Sequence, residues 1–147
     1  MAVGLRLSLP VASRYLRELN ARGLIRARRS GRLVFYAAEA DRSVRGSVPL
    51  LRALVWTFKT AREPIETIFR QATAFTHPRR VTIALALRSS GRTMLSLRET
   101  TLLSRRVLER HLRKLERRGF VERDGGKYWL ASRRDLLGRT FRTLALQ

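Results

Sequence analysis

The chain has 147 residues, no cysteine and a formal charge of +21 from 32 basic and 11 acidic residues. Without cysteine there is no disulfide framework, thiolate metal site or cysteine nucleophile, and so large a positive surplus favours a polyanionic partner over a neutral one. Only Lys59, Lys114 and Lys127 are lysines, so part of the arginine count reflects Arg-for-Lys usage, but that bias does not explain the scarcity of acids.

In chain order, Ser8 is an N-cap and the apolar residues Leu16 and Leu19 lie within a helical run that ends at Gly23. Strand-like runs at 24–27 and 33–37 flank Arg28-Arg29-Ser30-Gly31-Arg32, a basic hairpin tip. Residues 41–47 are polar and contain a glycine, which reads as a linker. Pro49 then opens a helix with Leu50, Leu51, Leu54, Val55 and Phe58 on one broad face and Trp56 close by. Glu63-Pro64 interrupts it, because proline cannot donate the helical hydrogen bond. A second helix at 64–74 carries Ile65, Ile68, Phe69 and Ala72. Residues 47–76 have a net charge of +2, against +7 for 1–46 and +12 for 77–147, so charge is concentrated on either side of this segment.

Pro78 fits the first turn of a helix at 81–88, whose apolar face is Val81, Ala84 and Leu85 with Ile83 and Leu87 beside them. Ser89-Ser90-Gly91 breaks it, Met94-Leu95 is a short strand, Ser96 caps a brief helix to Thr100, and residues 101–103 turn. Ser104 caps the most regular helix of the chain, with Leu108, Leu112 and Leu115 as the buried stripe and Arg105, Arg106, Glu109, Arg110, Arg113, Lys114 and Arg117 on the other faces. Gly119 ends it. Strands at 120–123 and 127–130 flank Asp124-Gly125-Gly126, which tolerates the positive φ of a hairpin turn. Ser132 caps a last helix with Leu136, Leu137, Phe141 and Leu144 apolar. It packs on the preceding elements, covers the N-terminal ones, or dimerises.

Within this order lies a repeat. SLPVASRYLRELNARG aligns without gaps on SRRVLERHLRKLERRG, matching at Ser8/Ser104, Val11/Val107, Arg14/Arg110, Leu16/Leu112, Arg17/Arg113, Leu19/Leu115, Arg22/Arg118 and Gly23/Gly119. A hairpin follows each copy. Short helix, turn, amphipathic helix and hairpin is the layout of a winged helix-turn-helix, and FTHPRRVTIALAL, SLRETT and LSRRVLERHLRKLERRGFVERDGGKYWL resemble the arsenic-repressor-like (ArsR-like) winged-helix regulators over residues 75–131. LSLPVASRYLRELNARGLIRARRSGRLVFY resembles the same family, but with only seven residues before the helix its first helix is expected to be absent and its second to be at most a stub around Ala2 to Leu5. The expected architecture is mainly α with small β-hairpins (α+β): tandem winged helix-turn-helix modules joined by a helical segment. Residues 1–46 form an N-terminally truncated module, 47–76 a helical connector, and 77–147 a complete module with a C-terminal helix. Leu16, Leu19, Ile25 and Phe35 are then expected to be poorly covered.

The resemblance implies double-stranded DNA as partner, with the amphipathic helix in the major groove. It places Arg105, Arg106, Glu109 and Arg110 at base-facing positions with Arg113 nearby. In the first copy the matching residues are Pro10, Ser13, Arg14 and Tyr15, with Arg17 nearby. Arginine reads guanine bidentately and glutamate accepts from cytosine. Arg28, Arg29, Arg32, Arg123 and Lys127 on the two hairpins are phosphate candidates.

A homodimer through helices 48–75 or 133–146 is one use of the apolar residues there; simple core is the other. Many ArsR-like repressors sense metals, but His77 and His111, the only histidines, are expected far apart, so no metal or other cofactor is expected. Gly125-Gly126-Lys127 lacks the remaining residues of a phosphate loop. His111 has no orienting acid or nucleophile at a useful spacing, which leaves packing or DNA contact for it. An enzyme is not expected. No apolar run approaches the roughly 20 residues of a membrane span and no secretory pattern opens the chain, so no membrane partner and a cytoplasmic, nucleoid-associated location are expected. Two other classes fit parts of the pattern: a tandem winged-helix protein-interaction module of a chromosome or transcription complex, and an RNA- or ribosome-associated basic protein. The first predicts less lopsided charge, and the second does not need such regular helices, because the major groove of duplex RNA is too narrow for one.

Overall fold

The structure, a computed structural model, describes residues 7–147, so the stub expected around Ala2 to Leu5 lies outside the described residues. Among them are seven helices and two small antiparallel sheets, an α+β architecture. The chain divides into two compact units, Met1–Val55 and Trp56–Gln147. The division falls inside a helix.

In the first unit, α1 (Leu9–Ala21) is followed by β1 (Arg26–Ser30), β2 (Leu33–Ala37) and the start of α2 (Ser47–Thr60). Pro10 suits the first turn of α1. Gly23 ends it at φ +68, and a side chain there would collide with Val44. β1 runs further than the sequence suggests. Ser30 pairs with Leu33, so the turn is only Gly31-Arg32, and Arg28 and Arg29 are strand residues opposite Phe35 and Val34. Gly31 at φ +58 permits the tight two-residue connection that a loop of five residues was expected to make. The 41–47 segment is an ordered turn: the Asp41 N–H donates to the Gly23 carbonyl at 2.9 Å, and the Asp41 carboxylate accepts from the Ser43 N–H at 2.9 Å.

The second unit begins with the end of α2 and continues through α3 (Pro64–Ala72), α4 (Pro78–Ala86), β3 (Arg92–Thr93), α5 (Met94–Thr101), α6 (Arg105–Arg117), β4 (Val121–Asp124), β5 (Lys127–Leu130) and α7 (Leu136–Ala145). Its sheet has the order β3-β5-β4, with Arg92 opposite Tyr128 and Val121 opposite Leu130. The expected strand at Met94-Leu95 is instead Arg92-Thr93, and α5 is capped by Thr93, whose hydroxyl accepts from the Ser96 N–H at 3.2 Å, not by Ser96. A threonine at that place satisfies a free first-turn donor and lets the helix start three residues earlier. The turn to α6 passes through Leu102 at φ +56.

The core joins Ala74, Ile83, Leu87 and Leu97 to Leu108, Leu112 and Leu115 of α6, and to Phe120, Val121 and Tyr128 of the hairpin. Burying side chains of this size contributes about 1.5–3 kcal/mol each. α7 packs against α3, with Leu137 buried and Phe141 against the core, which answers where the last helix goes. Its cap is Asp135, which accepts from the Gly138 N–H at 2.7 Å, and not Ser132.

Several arginines that read as surface charge in the sequence bind main-chain carbonyls, Arg80, Arg92 and Arg133 among them. Arg80 is buried and donates to the carbonyls of Ala74 at 2.5 Å and Thr73 at 2.9 Å and to the Thr76 hydroxyl at 2.7 Å, tying the α3–α4 turn. Arg92 donates to the Ala86 carbonyl at 2.6 Å. Arg133 donates to the Gly119 carbonyl at 2.9 Å, stacks over Phe120 and pairs with Asp135 at 2.6 Å, in a slot open because residues 119 and 138 are glycines.

Several large apolar residues of the middle segment are not core. Ala53, Thr57 and Gln71 are buried there, whereas Val55, Trp56, Phe58, Ile65 and Phe69 are exposed. The broad face expected from Leu50 to Phe58 therefore turns partly outward, since the helix buries its small residues. Among the described residues no helix is long and apolar enough to cross a membrane.

Candidate nucleic-acid interface

α6 presents two opposite chemistries because its sequence has a period of 3.6 residues. Leu108, His111, Leu112 and Leu115, at i, i+3, i+4 and i+7, are the buried residues. Arg105, Arg106, Arg110, Arg113 and Arg117 are exposed. Arg106, Arg110, Arg113, Lys114 and Arg117 line one shallow depression of about 510 Å³ together with Val107 and Glu109. The helix thus brings together four of the residues expected at base-facing positions or near them, and adds Lys114 and Arg117. Both lie one turn further along the same face, a spacing that could have been read from the sequence.

Arg105 stands apart from this group. Its Nε donates to Glu109 at 2.8 Å, and that hydrogen bond and the carboxylate's charge hold the guanidinium above its usual value. No other arginine of α6 has a carboxylate partner among the described ion pairs. Ser104 occupies the N-cap position with extended backbone, φ −64° and ψ 153°, but its hydroxyl makes no capping hydrogen bond. Several N–H groups at an α-helix start have no partner within the helix, and the positive end of the helix dipole favours an anion there.

His111 is 2 % exposed. DNA contact is therefore closed to it, and its ring packs 4.5 Å, centroid to centroid, from His77. The two histidines were expected far apart. They meet because His77 caps α4, accepting the Arg79 N–H at 3.2 Å, and α4 packs on α6. Neither ring nitrogen of His111 has a hydrogen-bond partner. Burial, then the charges of His77, Arg110, Arg80 and Arg79, push its pKa down to about 4. Burial and the neighbouring Arg80, Arg79, Arg110 and Lys114 lower His77 as well. Among the described residues no three potential metal ligands stand together.

On the hairpin after α6, Arg123 lies with its guanidinium 5.5 Å from the centre of the Tyr128 ring, and Lys127 is exposed at the turn of Gly125 and Gly126, whose φ values are +54° and +75°. The first unit disposes its candidates differently. Pro10, Arg14, Tyr15 and Arg17 are exposed on α1 and Ser13 is half-buried, with Arg14 stacked 5.3 Å from the Tyr15 ring. Arg28 pairs with Glu39 at 3.0 Å, as does Arg26, so Arg28 is not a free cation at a loop tip. Arg29 and Arg32 are exposed and have no ion pair among the described residues.

No protein-family model and no curated protein matches the chain.

Proposed function

We propose that the protein is a sequence-specific, double-stranded DNA-binding transcriptional regulator built from tandem winged helix-turn-helix modules of ArsR-like type, with α6 as its main reading element. The observation that carries this reading is the cationic depression on α6. Five basic side chains share it with a single acid, directly opposite a stripe that is rigidly buried. A polyanion is the natural complement of such a face. Arg106 and Arg110 are assigned to base edges, and Arg113, Lys114, Arg117, Arg123 and Lys127 to phosphates. In the first unit Pro10, Ser13, Arg14, Tyr15 and Arg17 are the counterparts on α1, while Arg29 and Arg32 contribute phosphate contacts. No catalytic role is assigned to any residue.

The exposed Phe58, Ile65 and Phe69 support a homodimer through the least charged part of the chain, with Phe69→Glu expected to return it to a monomer in sedimentation. Selection from a random duplex pool, followed by competition with DNA and RNA duplexes of the selected sequence, tests the reading. An enriched DNA motif that RNA does not displace is the expected result. Equal competition by RNA assigns the charge to an RNA or ribosome partner, and no binding of either leaves protein interaction as the use of the fold.

A further inference from the structure

The hairpin of the first unit has a free edge, and the repeat shows what the corresponding edge holds in the second. There β5 is the central strand of three, with β4 on one side and β3 on the other, where Arg92 lies opposite Tyr128. Counted from the turn, Tyr128 of β5 corresponds to Val34 of β2, because Asp124 closes on Lys127 as Ser30 closes on Leu33. Among the described residues the sheet of the first unit stops at β1 and β2.

The alternation of an antiparallel pair fixes which groups point outward. A two-residue turn closes on a hydrogen-bonded pair, here Ser30 and Leu33, and the next bonded pair is Arg28 and Phe35. The main chains of Val34 and Tyr36 therefore face away from β1. On β1 the corresponding outward N–H is that of Ala27, which donates to Asn20 Oδ1 at 3.2 Å, so α1 partly covers that edge. No hydrogen bond from outside the hairpin is made at the main chain of Val34 or Tyr36 among the described residues.

The two edges also differ in chemistry. Natural sheets defend an open edge with charge, proline or a bulge. β1 reads RARRS and has three arginines, whereas β2 reads LVFYA and has none of these devices. Its Leu33, Val34 and Phe35 are 63 %, 45 % and 56 % exposed. In a chain of charge +21, an uncharged strand is a place where two like-charged copies can approach. The strand is also self-complementary. Laid antiparallel on itself with its five residues fully overlapped, it sets Val34 against Tyr36 of the second copy and Tyr36 against Val34, each pair exchanging both main-chain bonds. Phe35 then meets Phe35 at the two-fold axis, in a pair without main-chain bonds, where side chains come closest.

We propose that β2 is the contact between neighbouring copies of this chain bound along one DNA duplex, the two hairpins joining edge to edge. The inference rests on the DNA reading, in which Arg29 and Arg32 bring this hairpin to the phosphates. One short strand is too small a seam to offset the freedom lost when two free chains meet. On a shared duplex most of that freedom is already gone, so the seam acts there, as cooperativity.

The test compares random duplexes of two lengths, one that accommodates a single protein complex and one that accommodates many. Binding to the long duplex should be cooperative, each addition beside an occupied stretch being tighter by about tenfold to a hundredfold. Val34→Pro removes an N–H that points outward and leaves the ladder of the hairpin intact. It should keep the affinity for the short duplex and lose the cooperativity on the long one. A second readout uses the absence of cysteine from the chain. On the long duplex, Phe35→Cys should form a disulfide-linked pair under mild oxidation, since the Cα atoms across the axis are about 4.5 Å apart. Leu33→Cys, on the same face but about 14 Å from its mate, should not. Binding to the long duplex without cooperativity, unchanged cooperativity in Val34→Pro, or equal cross-linking at positions 33 and 35 would overturn the proposal. Absence of binding to both duplexes would remove the DNA reading itself, and this inference with it.

Discussion

The two copies of the repeat share the hydrogen bonds that stop their helices and then part company in their packing. The N–H of Gly23 donates to the Asn20 carbonyl at 2.9 Å and that of Leu24 to Leu19 at 3.0 Å; Gly119 donates to Glu116 at 2.8 Å and Phe120 to Leu115 at 2.9 Å. Both glycines are left-handed, at φ +68 and +71. Yet Leu115 is completely buried and its counterpart Leu19 is 39 % exposed, while His111 is buried and its counterpart Tyr15 is 51 % exposed. Helix start, helix stop and hairpin are written in the local sequence, so they recur. Burial depends on what lies across the helix, and α6 has α4 and α5 there. A copy that folds locally but holds little core presents its side chains less rigidly, so base reading is assigned chiefly to the other.

Paired truncations sharpen this comparison most. Leu112→Ala or Leu115→Ala should cost about 2–5 kcal/mol in urea unfolding, the range for cavities in a closed core. Leu19→Ala should cost less than about 1 kcal/mol, because much of its side chain is already in water. Similar losses at positions 19 and 115 would mean that the two copies are equally packed.

Acid should separate the copies next. His111 has its pKa depressed to about 4 when folded, against 6.5 for a free histidine. Its burial therefore stabilises fully above pH 6.5, and that contribution is lost progressively as the pH falls toward 4, because the unfolded chain takes up the proton first. The loss is of order 3 kcal/mol at most. The first copy has no histidine there. His111→Phe should flatten unfolding profiles of the second unit between pH 6.5 and 4, and an unchanged slope would place the acid sensitivity elsewhere.

Smaller effects distinguish reading from holding. Arg106→Ala or Arg110→Ala should cost about 1–3 kcal/mol at a selected DNA site and relax its sequence preference. Arg29→Ala should weaken all sequences by a similar, smaller amount, measured by anisotropy on matched and random duplexes. A sequence-specific loss from Arg29→Ala, with position 106 silent, would exchange the roles of the two copies.

How much of this was legible depends on whether the deciding signal is local. The stripe Leu108, Leu112 and Leu115, the stop at Gly119, the Gly125-Gly126 turn and the break at Glu63-Pro64 are set by side-chain spacing and backbone freedom, and the structure has them where the sequence indicates. The middle segment was read less well. Period alone cannot say whether Phe58, Ile65 and Phe69 or the smaller Ala53 and Thr57 turn inward. Nor does composition distinguish an arginine in solvent from Arg80, Arg92 and Arg133, whose partners are carbonyls brought near by turns. The encounter of His77 and His111 likewise depends on α4 crossing α6, a tertiary fact. The grouping of basic residues on α6 was legible because it follows from one helix, while the commitment of Arg28 to Glu39 depended on a strand that runs to Ser30.

The most direct test of α6 as the DNA-reading element is the salt dependence of binding to a random duplex between 50 and 200 mM, with charge removed at two places. Each phosphate contact contributes about 0.9 to the slope of log K against log salt. Replacing Arg113, Lys114 and Arg117 together by alanine should make the slope shallower by about 3, whereas replacing Arg52, Arg62 and Arg70, the same loss of charge from the middle segment, should leave it unchanged. Equal effects from the two triple variants, or no binding by the unaltered chain at 50 mM salt, would contradict the account.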